Sequence, residues 1–116
     1  MTPEAASRLA NRYGQIVILR RLTMAGTAAI AFDAEIRAKI RAYQPEELVG
    51  LITQADREAV IAAIDLLALQ WPVPPREGAN ADRLVLDGKV GVVQAVEPRA
   101  SFSGEVAMYA IRVRLP

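Results

Sequence analysis

Residues 32–42 read FDAEIRAKIRA, alternating apolar and charged side chains at every position. Phe32, Ala34, Ile36, Ala38, Ile40 and Ala42 fall on one side of an extended chain, and Asp33, Glu35, Arg37, Lys39 and Arg41 on the other. That two-residue period belongs to a strand with one face against a core. A helix competes, since Ala, Glu and Lys are poor strand formers and Glu35 and Lys39 stand one helical turn apart. Coiled into a helix, however, the segment scatters its apolar groups around most of the circumference, and the period decides for a strand. A small, mainly β protein follows.

Working outward, residues 15–22, QIVILRRL, gather β-branched side chains after Gly14 and read as a buried strand. Residues 24–31, MAGTAAIA, are small and nearly featureless, either a hairpin tip or a loop that orders against a partner. Ahead of them, Thr2 caps a short helix, Pro3 suits its first turn, Glu4 complements its positive end and Gly14 stops it. Ala6, Leu9, Ala10 and Tyr13 form its apolar stripe, which predicts a helix packed on a β core. The C-terminal third carries Asp87-Gly88 between apolar runs, the sequence of a two-residue type I′ hairpin turn. Pro98 and Gly104 bracket the next turn, and Tyr109, Ile111, Val113 and Leu115 then alternate with Ala110, Arg112 and Arg114. Three consecutive antiparallel strands join the earlier ones in a small antiparallel β-barrel or sandwich with a short N-terminal helix.

The middle is less regular. In residues 44–71, QPEELVGLITQADREAVIAAIDLLALQW, Pro45 and Gly50 break any long element. Val60, Ile64 and Leu67 recur at helical spacing, so local propensity predicts a helix over 56–69. The stretch 71–82, WPVPPREGANAD, cannot join a regular ladder and reads as a loop pinned by Trp71.

At 116 residues the chain makes a single domain, 1–116, with one core. Hydrophobic residues reach 53% but aromatics only 5%, so the core is built from Val, Ile, Leu and Ala and gains from burial between subunits. The chain contains neither cysteine nor histidine. Disulfides, thiolate nucleophiles and the commonest zinc sites are thereby excluded, together with the side chain best suited to proton shuttling near neutral pH. Ser7, Ser101 and Ser103 have no base to activate them, and the glycines form no phosphate loop. Neither an enzyme nor a cofactor is expected. A net charge of +1 is too small for a dedicated nucleic-acid binder. No apolar run approaches the roughly 20 residues of a membrane span, and residues 1–14 lack a signal-peptide layout, so a soluble cytoplasmic protein is expected.

The order of these signals resembles the small head-tail joining, or head completion, proteins of tailed bacteriophages. A short helix runs into Tyr13-Gly14, and a strand ends at Leu19-Arg20-Arg21. The alternating strand leads to Tyr43–Gly50, YQPEELVG, and then to Gln54-Ala55-Asp56-Arg57. A proline-bearing loop, the Asp87-Gly88-Lys89 hairpin and a strand centred on Tyr109 complete the order. One departure is that such proteins set Gly and Asp side by side before the hairpin, whereas here Ala79-Asn80-Ala81 separates Gly78 from Asp82. The resemblance implies a barrel-like core with strand, not helix, from about Glu58 to Ile64. It also implies a virion protein, made in the host cytoplasm, that is monomeric alone and forms a ring, usually of six copies. That ring stacks between portal or adaptor and tail proteins, retains DNA and then passes it.

On that reading Arg37, Lys39 and Arg41 on one strand face, and Arg112 and Arg114 on another, are candidates for a channel or subunit-facing surface in transient contact with DNA. The alternative for these residues is a solvated outer sheet face. Glu46, Glu47, Asp56, Arg57 and Trp71 are candidate interface residues. The acids would meet Arg20, Arg21 or Arg57 of a neighbour and set register, and Trp71 would serve as an interface anchor or as a core plug. Paired-carboxylate chemistry at Glu46 and Glu47 is disfavoured, because neighbours on a strand point to opposite faces. The competing function is a small β-barrel module for peptide or single-stranded nucleic acid. It needs aromatics on one face, yet Tyr13, Phe32, Tyr43, Trp71, Phe102 and Tyr109 are dispersed.

Overall fold

The computed structural model describes residues 2–22, 30–71, 74–78 and 81–116. Thr2 Oγ1 accepts the Ala5 N–H at 3.1 Å, the expected cap, and opens helix α1 (Pro3–Tyr13). Pro3 and Ala6 are buried, and Ala6 packs with Ala62 and Ala107. Leu9, expected in the same stripe, is instead 41% exposed. The side chains of Ala10 and Tyr13 lie outside the described set, as does most of 24–31.

Strands β1 (Gln15–Leu22), β2 (Ile30–Ala42), β3 (Asp56–Ala62), β4 (Arg83–Leu86), β5 (Lys89–Ala100) and β6 (Val106–Arg114) form a closed antiparallel barrel. Its order is β1-β2-β3-β6-β5-β4, with β4 pairing back onto β1 from Ile18↔Val85 to Arg20↔Arg83. The alternating segment is strand throughout, long enough to pair with β1 along Gln15↔Ala38 to Leu22↔Ile30 and with β3 along Lys39↔Val60 to Ala42↔Arg57. Ile36 and Ala38 face the core, while Asp33, Glu35 and Lys39 are exposed. Of the two architectures expected, the molecule is the barrel, and closure hides the strand edges.

Helix over 56–69 is corrected. Residues 56–62 pair with β6 from Asp56↔Arg114 to Ala62↔Met108, and Ala59 and Ile61 are fully buried. Without this strand the barrel has a gap between β2 and β6, so tertiary pairing overrides local propensity. Helix appears only where the ladder ends, as α2 (Ala63–Ala68), whose Leu66 enters the core. The strand implied to about Ile64 therefore stops at Ala62.

Asp87 (φ 51°) and Gly88 (φ 77°) both adopt positive φ and join β4 to β5 in the expected turn, Leu86 pairing with Lys89. Gly91 is required by contact: a Cβ there would strike Val113 Cγ1 and lie 3.1 Å from Leu115 Cδ2. Pro98 does not bracket the following turn but sits inside β5, opposite Tyr109. β4 pairs with β5 only from Lys89 to Val92, so among the described residues the later part of β5 has no strand partner on that side. There Glu77 accepts the Val96 N–H, and Pro98, two residues on, has no N–H to offer.

The interior is aliphatic as composition requires: Val17, Leu19, Ile61, Leu84, Val93, Ile111 and Val113 are at most 2% exposed. Each such side chain contributes about 1.5–3 kcal/mol of burial. Trp71, Leu66 and Ala81 belong to the same cluster. Trp71 is thus a core plug, and at 3% exposure it is not a surface anchor.

Candidate functional site

The barrel wall formed by β2, β3, β5 and β6 gathers most of the charged candidates. Outward positions on neighbouring strands line up as Arg41↔Glu58 and Glu58↔Arg112 in one row, and Asp56↔Arg114 in another. Opposite charges on adjacent strands attract directly across the ladder. Arg41 Nε donates to Glu58 Oε1 at 2.9 Å, and its terminal nitrogens form a fork on Glu47 at 2.9 and 3.0 Å. Arg99 reaches the other oxygen of Glu58 at 3.5 Å. The Arg41 guanidinium also lies over the Tyr43 ring, 5.1 Å from its centroid.

Glu46 and Glu47 do not lie on a strand. Residues 45–47 form one turn of 3-10 helix, in which the Glu47 carboxylate accepts the Gln44 N–H at 2.8 Å. Glu46 remains exposed. Hydrogen bonds from Arg41 and from the Gln44 N–H hold the Glu47 carboxyl below its ordinary range. Bonds to Glu47 and Glu58 raise Arg41 correspondingly.

Asp56 is fully buried. Arg114 grips it through Nε at 2.8 Å and a terminal nitrogen at 3.2 Å, while the Thr53 N–H adds a bond of 3.1 Å. Burial pushes this carboxyl up, but the Arg114 and Thr53 bonds, with the charges of Arg114 and Arg112, outweigh it and leave it lowered. Arg114 also donates to the Leu51 carbonyl at 2.8 Å, tying the 51–55 segment to the end of β6. Arg112 Nε stands 3.9 Å from Asp56 and makes no hydrogen bond.

Of the cationic candidates, Arg41, Arg112 and Arg114 are thus drawn into carboxylates of their own chain. Arg37 donates to the Gly14 carbonyl at 3.3 Å, and Lys39 is exposed with no ion pair among the described residues. Arg57 bonds the carbonyls of Gln54 and Asp56, both at 2.9 Å. Asp56, an interface candidate by sequence, is consumed inside the subunit, because Arg114 of β6 stands opposite it in register and Arg112, opposite Glu58, lies 3.9 Å away. The partners expected for the acids are committed elsewhere: Arg20 pairs with Asp33 and Arg21 with Asp82. Carboxylates already satisfied by guanidinium groups make poor proton carriers near neutral pH. Among the described residues no three or more Asp or Glu groups converge on a metal-sized site.

The buried pair Arg21–Asp82 escaped the sequence reading. Arg21 Nε and a terminal nitrogen donate to the two Asp82 oxygens at 2.9 and 2.8 Å, and the guanidinium lies 5.1 Å from the Trp71 ring centroid. Asp82 Oδ2 also accepts the Arg76 N–H at 2.8 Å, so one carboxylate fastens the proline-rich loop to β1. The available signal was parity, since Val17, Leu19 and Arg21 share the inward side of β1.

Compared with known proteins, the chain matches no protein-family model and no curated protein.

Proposed function

We propose that this chain is a structural subunit of a bacteriophage or prophage head-tail connector, forming a ring between portal and tail that retains DNA and then lets it through. The observation that carries the reading is β3. Local propensity favoured helix over 56–69, and the family resemblance alone called for strand beginning near Glu58. The strand at Asp56–Ala62, inside a barrel reached through the expected helix and hairpin, supports that resemblance. The charge-balanced wall supports it too. A conduit that left its arginines open to phosphates would grip DNA and slow its passage, because each neutralised phosphate adds affinity.

Six copies per ring, docking to portal or adaptor and tail proteins, and assembly in the host cytoplasm complete the proposal. The test is to mix the chain with its cognate portal complex at micromolar concentration and image or co-sediment the product. Ring-shaped density on the portal is expected, and absence of binding would refute the assignment. A parallel titration with labelled single-stranded oligonucleotide at low salt distinguishes the binding-module reading, which predicts measurable affinity without portal binding.

A further inference from the structure

The outward sides of β1, β2, β4 and β5 carry a second surface, which takes in Arg37 and Lys39, two of the candidates for a channel or subunit-facing surface. Because Val17, Leu19 and Arg21 of β1 point inward, Ile16 and Ile18 point out. Register sets Ile18 beside Val85 and Val85 beside Val90, and Val92 follows on the same face of β5. A β-branched run that reads as buried on both sides is therefore bare on one, with Ile16 57% and Val90 43% exposed. Beside it, Ile16, Ala68 and Leu69 form the apolar lining of a groove of about 300 Å³, into which Glu35, Arg37 and Asp65 also face.

The charges along this face have an order. Outward on β2 stand Asp33, Glu35, Arg37 and Lys39, two acids followed by two bases. Alternate residues of a strand are about 6.6–6.8 Å apart, so the row is a ruler of charge with its sign reversed at the midpoint. Such a row complements itself when turned end for end. A two-fold axis crossing β2 between Glu35 and Arg37 places Glu35 against Arg37 of another copy and Asp33 against Lys39, each contact occurring twice. Since Ile18 is the cross-strand neighbour of Glu35 and Ile16 that of Arg37, the same rotation lays Ile16 on Ile18. Glu35 and Lys39 are exposed and form no ion pair among the described residues, while Asp33 is held by Arg20 and Arg37 by one bond to the Gly14 carbonyl.

We propose that the outer face of β1 and β2 binds a second copy of this chain as a two-fold, antiparallel pair. This contact is isologous, the same patch meeting itself, whereas a ring is built from two different patches; it departs from the monomer that the family resemblance implies, and pairing in solution and binding to a portal are read by separate experiments.

Sedimentation velocity on the full chain, from micromolar to submillimolar concentration, tests it with charge reversals. Glu35→Arg alone sets arginine against arginine, Arg37→Glu alone sets glutamate against glutamate, and each is expected to weaken self-association by about ten-fold or more. An equimolar mixture of the two variants, and the double variant Glu35→Arg/Arg37→Glu, are both expected to restore the dimer. A misfolded variant would not be rescued by mixing, so recovery reports the contact and not general stability. A wild-type chain that stays monomeric throughout would overturn the proposal. So would an assembly indifferent to both reversals, or single-variant losses that mixing fails to restore.

Discussion

At residue scale, Arg21 and Asp82 seal a guanidinium and a carboxylate into the barrel wall, 5% and 0% exposed. Removing one partner of such a pair leaves the other charge where water cannot replace it, whereas removing both in favour of apolar groups is nearly neutral. Asp82→Ala is expected to lower unfolding free energy in urea by about 3–5 kcal/mol, and Arg21→Met with Asp82→Leu to recover most of the loss. No period could reveal this pair, because its members lie 61 residues apart. The one legible trace was an arginine in an inward position after Val17 and Leu19. Asp56 invites a pH measurement. Its folded carboxyl is lowered, so the stability it contributes is complete above the ordinary aspartate value of about 3.9 and drains away as pH falls through the lowered folded value. The gap in urea midpoint between wild type and Asp56→Asn is expected to be wide at neutral pH and to narrow below about pH 4. A gap that stayed constant into strong acid would contradict the role assigned to the Arg114 grip.

At the scale of elements, legibility followed the number of physical cues that agreed. β2 announced itself because the two-residue period of residues 32–42 coincides with alternating burial from Asp33 to Ile40. The β4–β5 turn was equally plain, since few residues other than Asp-Gly accept positive φ at both positions. The boundary between β3 and α2 was hidden, because AVIAAIDLLA suits either structure and only the vacancy between β2 and β6 selects strand up to Ala62. Pro98 was misplaced for a related reason, as its position depends on where β4 stops covering β5. That uncovered edge is guarded by two devices, the Glu77 carboxylate on the Val96 N–H and the missing donor of Pro98. Glu77→Ala combined with Pro98→Val opens an unblocked strand edge to other chains. The double variant is expected to scatter light and form concentration-dependent aggregates at temperatures where wild type stays clear, with each single variant intermediate.

At the scale of the whole molecule, a formal charge of +1 conceals an uneven commitment of its cations. Composition made near-neutrality legible, but it could not show that Arg41, Arg99 and Arg114 are occupied by Glu47, Glu58 and Asp56. Carboxylates on that wall compete with any phosphate for the same guanidinium forks, and they hold the advantage of being fixed in place. Weak duplex binding with a shallow dependence on salt is therefore expected of the wild-type chain. Glu47→Gln with Glu58→Gln raises the formal charge by two, frees Arg41 and releases Arg99 from Glu58, with Glu97 still 3.8 Å from Arg99, while leaving Asp56, the buried member, intact. Fluorescence anisotropy with a labelled duplex at several salt concentrations is expected to show tighter binding by the double variant. Its slope of log affinity against log salt should steepen by about one for each newly available phosphate contact. If affinity rises without a change in slope, the released arginines are not the ones meeting phosphate. An affinity of the double variant equal to that of wild type would mean that the wall's carboxylates do not restrain DNA contact, and the passage of DNA would need a different physical explanation.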